Sequence, residues 1–152
     1  GLEGFVDADW AEDAKDRKST IEYVLKLNGG TISWCSRKQQ LVTWCSTEAE
    51  YVAAGEAGKE TVYLRKILGS IGFGCRGSTT LFEDNESAIS LSMGSGAHCR
   101  TKHIGLRWHG IQEWVREGIL ALKYVQTGDQ FADILTKGLS RAKFQILRNL
   151  LT

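Results

Sequence analysis

Between Phe5 and Trp10 the chain is apolar and β-prone apart from Asp7 and Asp9, and from Ile21 to Leu27 the apolar Ile21, Tyr23, Leu25 and Leu27 alternate with Glu22 and Lys26. Alternation of period two predicts half-buried strands. Asn28-Gly29-Gly30 is a hairpin turn signal, so Thr31 to Cys35 is expected as a third strand paired with the second. Leu41 to Cys45 reads as a further short strand or an extended lead-in. The period then changes. Ala54, Ala57, Thr61, Leu64 and Leu68 recur at spacings of three and four, which predicts a helix over Thr47 to Leu68 stopped by Gly69, with Glu50 one turn above Ala54 on the same stripe.

Thr79 to Phe82 is a short apolar run leading into Glu83-Asp84-Asn85, which places Asp84 at the carboxyl end of a strand, and a short helix from Ser87 ends near Gly94. Ile104, Trp108, Ile111 and Val115 mark the apolar face of another helix, closed by Gly118 and followed by a fifth strand over Ile119 to Val125. Thr127 to Gln130 resembles a capping box opening a last helix that carries Asp133, with Leu135 and Phe144 to Leu151 as apolar positions beyond it. Three strands, then helices and strands in alternation, predict an α/β fold: a mixed five-stranded sheet flanked by helices.

The 152 residues suit one domain, and a net charge of +1 gives no global pull toward nucleic acid, so any such binding needs a local basic patch or a bound cation. Cys35, Cys45, Cys75 and Cys99 form no paired spacing, which argues against a disulfide framework and fits a reducing, intracellular compartment. Nothing in the chain has the length and apolarity of a membrane span or the pattern of a leader, so a soluble protein with no membrane partner is expected. The lone methionine is Met93 and the chain starts almost directly in a strand, which reads as residues 1–152 of a longer polypeptide.

Four acids fall where this element order gathers them at one sheet edge: Asp7 in a strand, Glu50 near a helix start, Asp84 at a strand end and Asp133 near a helix start. Clustered carboxylates repel one another and either keep protons or bind hard cations through oxygen. A pair of Mg²⁺ ions about 4 Å apart in such a site activates water for phosphodiester hydrolysis. Each acid also has a structural explanation. Thr47-x-x-Glu50 is a capping box and Asp133 is favoured by a helix dipole, whereas Asp7 and Asp84 interrupt apolar strand runs where Asp is depleted.

His98, Cys99, His103 and His109 approach a zinc half-site, but no second cluster completes it, and an exposed helix face is the expectation. Arg100, Lys102, Arg107 and Arg116 face one acid, Glu113, in a run that suits either phosphate contact or a solvated helix face. Trp10, Trp34, Trp44, Trp108 and Trp114 are expected in the core.

Six segments, in order, are similar to the signature blocks of the ribonuclease H domain of copia-type LTR retrotransposon polyproteins: Val6-Asp-Ala-Asp-Trp-Ala11, Asp16-Arg-Lys-Ser-Thr20, Ser46-Thr-Glu-Ala-Glu-Tyr51, Glu83-Asp-Asn-Glu-Ser-Ala-Ile89, Arg100-Thr-Lys-His-Ile104 and Ala132-Asp-Ile-Leu-Thr-Lys137. The resemblance implies a ribonuclease H-like fold, excision from the C-terminal part of the polyprotein, and metal-dependent cutting of the RNA strand of an RNA/DNA hybrid. It implies Asp7, Glu50, Asp84 and Asp133 as catalytic ligands of two Mg²⁺, with Mn²⁺ as a substitute, Asp7 bridging both ions and Glu50 near the ribose 2′-OH that marks RNA. It further implies Ser46, Thr47, Asn85, Glu86, Arg100 and Lys102 as hybrid contacts. The reverse transcriptase domain of the same polyprotein is the implied partner, in the cytoplasm within virus-like particles or in the nucleus.

The chain departs from the family pattern at Glu86, where Gln is usual, and at Gly105, where Asp is usual. Val125 to Gln130 also lacks the loop histidine of many cellular ribonucleases H. These departures leave open a weakened or host-adopted module that binds hybrid without cutting. An integrase-type member of the same broad fold would carry Glu where Asp133 stands.

Overall fold

The computed structural model describes residues 1–10, 17–95, 105–135 and 137–151, with the side chains of 105–109 and 150 excepted. The elements are β1 (Leu2–Asp9), β2 (Thr20–Leu27), β3 (Gly30–Lys38), α1 (Ser46–Ser70), β4 (Thr79–Glu83), α2 (Glu86–Ser92), α3 (Gly105–Arg116), β5 (Leu120–Tyr124) and α4 (Arg141–Leu151), with two short 3₁₀ turns at Thr127–Asp129 and Phe131–Leu135. They form one five-stranded sheet in the order β3-β2-β1-β4-β5. β2 runs antiparallel to β1 and β3, whereas β4 is parallel to β1 and β5. The expected mixed sheet is therefore present.

The β2–β3 hairpin turns at Asn28 and Gly29, both with positive φ (51° and 90°), the backbone that Asn-Gly favours in a tight hairpin. β1 is the central strand. Its Gly4 sits opposite Leu25 of β2 and Leu81 of β4, both fully buried, where a side chain would have no room. Alternation along β1 sends Val6 and Ala8 into the core formed with α1, and Phe5 and Asp7 to the other face. There Phe5 stacks on Phe82 at 4.9 Å and meets the edge of Phe131 at 4.3 Å, which draws the second 3₁₀ turn onto the sheet.

Of the two readings of Leu41 to Cys45, the strand is absent and the segment is the lead-in to α1, a loop fixed by the buried Thr43 hydroxyl at 3.1 Å from that of Ser19. Two other expectations change. No capping box opens a helix at Thr127, and Asp133 lies in a 3₁₀ turn, separate from α4. The tryptophans are not core as a group. Trp10, Trp34 and Trp44 are exposed, because β3 is an edge strand with one open face and Trp44 lies in the loop before α1, while Trp114 packs partly buried against the core. The side chain of Trp108 lies outside the described residues. Among the described residues no helix is long and apolar enough to cross a membrane.

Candidate active site

Asp7 lies near the carboxyl end of β1, Asp84 one residue beyond the parallel β4, and Glu50 in the first turns of α1, which packs across β1. Their carboxylate oxygens come within 4.8 Å of one another. The capping explanation of Glu50 falls away, because α1 starts at Cys45 without a side-chain cap and the acid that reaches back is Glu48, accepting from the Trp44 N–H at 2.7 Å. Glu50, 6% exposed, is left facing the other acids.

Asp133 reaches the same place by another route. The buried Gln130 side chain donates to the Val6 carbonyl at 2.7 Å, beside Asp7, and so pins the second 3₁₀ turn to β1. From that turn Asp133 meets Asp7 both directly and through a lysine. The Lys137 ammonium lies 2.6 Å from Asp7 Oδ2 and 2.6 Å from Asp133 Oδ1, and Lys143 of α4 donates to Asp133 Oδ2 at 2.8 Å. The sequence marks Asp133 but gives no reason to single out Lys137 or Lys143.

A fifth acid was also missed. Glu83 is fully buried, accepts from the Asn85 N–H at 3.2 Å and lies close enough to Glu50 to share a proton. Strand parity could have found it, since Thr79, Leu81 and Glu83 alternate as the buried positions of β4. Among the described residues, Glu50 Oε2 and Glu83 Oε2 receive no hydrogen bond from a donor. Buried carboxylate oxygens without donors are costly, and a hard cation or a retained proton is what removes the cost.

The electrostatics follow from this packing. Burial, then Glu83, Asp7 and Asp84, push Glu50 up to about 12. Burial and the nearby Asp84 raise Glu83 as well. Asp7 is raised by burial, against the pull of Lys137. Burial opposes ionisation of Asp133, yet the hydrogen bonds of Lys137 and Lys143 outweigh it and its pKa is lowered. Burial and mutual repulsion thus favour the protonated forms of Glu50 and Glu83, beside a carboxylate, Asp133, whose ionised form is favoured by ammonium groups.

Of the expected hybrid contacts, Ser46 is exposed and Thr47 half-buried in the first turn of α1, and Glu86 is exposed in the first turn of α2. Asn85 is committed locally: its Oδ1 accepts from the Ala88 N–H at 3.0 Å and caps α2. Arg100 and Lys102 lie outside the described residues, as do His98, Cys99 and His103 of the zinc reading, and the side chains of Arg107 and His109. Arg116 is exposed and pairs loosely with Glu113 at 3.8 Å.

No family model matches the chain. It is 42% identical over 149 residues to the retrovirus-related Pol polyprotein from transposon TNT 1-94 of Nicotiana tabacum, covering 98% of this chain and 11% of that protein. It is 40% identical over 144 residues to the corresponding polyprotein from transposon RE2 of Arabidopsis thaliana, covering 95% of this chain and 10% of the relative. The chain thus spans about a tenth of the length of these relatives. Among solved structures, the N-terminal ribonuclease H domain of a Mycobacterium tuberculosis protein superposes with a TM-score of 0.63 at 10% identity, covering 99% of this chain and 98% of that one. A ribonuclease H1 in complex with an RNA/DNA hybrid gives 0.60 at 12% identity, covering 86% and 88%. At such identities the structures establish the fold, and the polyproteins establish the kinship. The chain belongs with the retrovirus-related Pol polyproteins of plant transposons, as a segment with the ribonuclease H fold.

Proposed function

We propose that this domain hydrolyses the RNA strand of an RNA/DNA hybrid during reverse transcription of a retrotransposon, using divalent ions, Mg²⁺ or Mn²⁺, held by Asp7, Glu50, Asp84 and Asp133. The observation that carries the reading is the convergence of Asp7, Glu50 and Asp84 from three separate elements to within 4.8 Å, with buried oxygens that lack donors. Such a donor set is all oxygen and anionic, which suits Mg²⁺ and not zinc. When bound, a pair of divalent ions supplies an activated water and charge compensation at the leaving 3′ oxygen. Around that chemistry Asp7, on the central strand, is in reach of both Glu50 and the Asp133 turn, and would be the ligand that both groups of acids have in common.

Ser46, Thr47, Asn85 and Glu86 border the acids, and with Arg100 and Lys102 they are the proposed contacts of the hybrid backbone. The partner domain is the reverse transcriptase of the same polyprotein, within virus-like particles of the cytoplasm or in the nucleus. The test is a series of carboxylate-to-amide variants. Asp7→Asn, Glu50→Gln, Asp84→Asn and Asp133→Asn are each expected to fold by circular dichroism, to bind hybrid in Ca²⁺ and to lose cleavage in Mg²⁺. Wild-type protein that binds hybrid but leaves it intact in Mg²⁺ would instead favour a binding module.

A further inference from the structure

Lys137 is the last residue of a sequence block that the proposed function uses only for Asp133. It projects from just after the second 3₁₀ turn, and its ammonium spans Asp133 and Asp7 of β1, two carboxylates that also lie within hydrogen-bond reach of each other. Both contacts are 2.6 Å, that to Asp133 a charge-assisted hydrogen bond and that to Asp7 an ion pair, and the side chain is about one-third exposed. The oxygens it occupies, Asp7 Oδ2 and Asp133 Oδ1, belong to the acids that the proposed function assigns to divalent ions. An ammonium and a divalent cation this close would repel, so the two compete for those oxygens.

We propose that Lys137 is a resident counter-ion, and that divalent binding at the Asp7–Asp133 pair is an exchange in which a single positive charge leaves and a doubly positive ion takes its oxygens. The exchange rests on the proposed metal-dependent function and adds a role for a residue outside its ligand set. It lets the fold keep Asp7 and Asp133 together without a metal, at the cost of weaker metal binding than the same carboxylates would otherwise give. Lys143 differs from Lys137 in an informative way. It reaches Asp133 Oδ2 and the Thr127 carbonyl, and its partners do not include Asp7. It is therefore able to stay in place and hold the turn while Lys137 withdraws.

Two measurements test the exchange. Calorimetric titration with Mg²⁺ is expected to show about tenfold tighter binding to Lys137→Met than to wild type, the scale of effect that groups around metal ligands exert, and a smaller change for Lys143→Met. In wild type, the rate of reductive methylation of Lys137, read by mass spectrometry, is expected to rise several-fold on saturation with Mg²⁺, a change that needs no variant to fold. Equal or weaker Mg²⁺ binding by a folded Lys137→Met, or a methylation rate that Mg²⁺ leaves unchanged, would overturn the exchange while the metal site stood. Absence of Mg²⁺ binding in both proteins would overturn the exchange and the proposed function together.

Discussion

Asn85 separates the strand that ends in Glu83 from the helix that starts at Glu86, and its side chain closes the corner on which Asp84 stands. Replacing it with Ala removes an N-cap and is expected to cost about 1 kcal/mol in urea denaturation, whereas Asn85→Asp keeps the cap and the stability. An Asn85→Ala variant as stable as wild type would show that the corner is held otherwise. Legibility at this scale depended on contrast. Asp7 and Asp84 stood out because each breaks an apolar strand run, a position where Asp carries a cost. Glu83, next to Asp84, looked like the polar end of a strand, although it is fully buried. Lys137 was hidden for another reason: an exposed lysine is what any surface turn contains, and only the position of Asp7 gives it a role.

At the scale of elements, β1 organises the sheet and the site together, and Gly4 is where that dependence can be measured. A Cβ there would lie 2.5 Å from Leu25 Cδ2 and 2.6 Å from Leu81 Cδ2, and both leucines are 0% exposed. Gly4→Ala is expected to destabilise the fold by about 1–3 kcal/mol, the range for overpacking a filled core, read as a melting temperature lower by several degrees. An unchanged melting temperature would mean that the leucines repack freely. The strands and α1 were legible because period-two and period-three-to-four patterns are repeated along each of them. The segment around Asp133 was not, since Gln130, which the pattern offers as part of a capping box, instead turns its side chain to the Val6 carbonyl. A local motif and a long-range hydrogen bond use the same residue, and the tertiary contact prevails.

The whole molecule is nearly neutral but holds its acids unevenly, and that makes its stability depend on pH in a predictable direction. Glu50 rises from 4.5 to about 12, and Asp7 and Glu83 are raised too. A folded-state pKa above the unfolded one means that the native state holds protons that the unfolded chain has released. Their contribution is complete below the unfolded values and is lost as pH rises toward the folded ones. In chelator, the melting temperature is therefore expected to fall between about pH 5 and pH 8. Asp133, with a lowered pKa, acts in the opposite sense and only in acid. Glu50→Gln should flatten the slope, and saturating Mg²⁺ should do the same in wild type by binding the ionised form. A melting temperature that rises over this interval would contradict the burial of these acids.

The most direct test of the account is a strand-resolved cleavage assay on a hybrid with its RNA and DNA strands separately labelled, in Mg²⁺ and in chelator. Cuts at internal positions of the RNA strand in Mg²⁺, an intact DNA strand, and no product in chelator are expected. Cleavage of the DNA strand, cleavage of RNA that persists in chelator, or an intact hybrid in Mg²⁺ would contradict it.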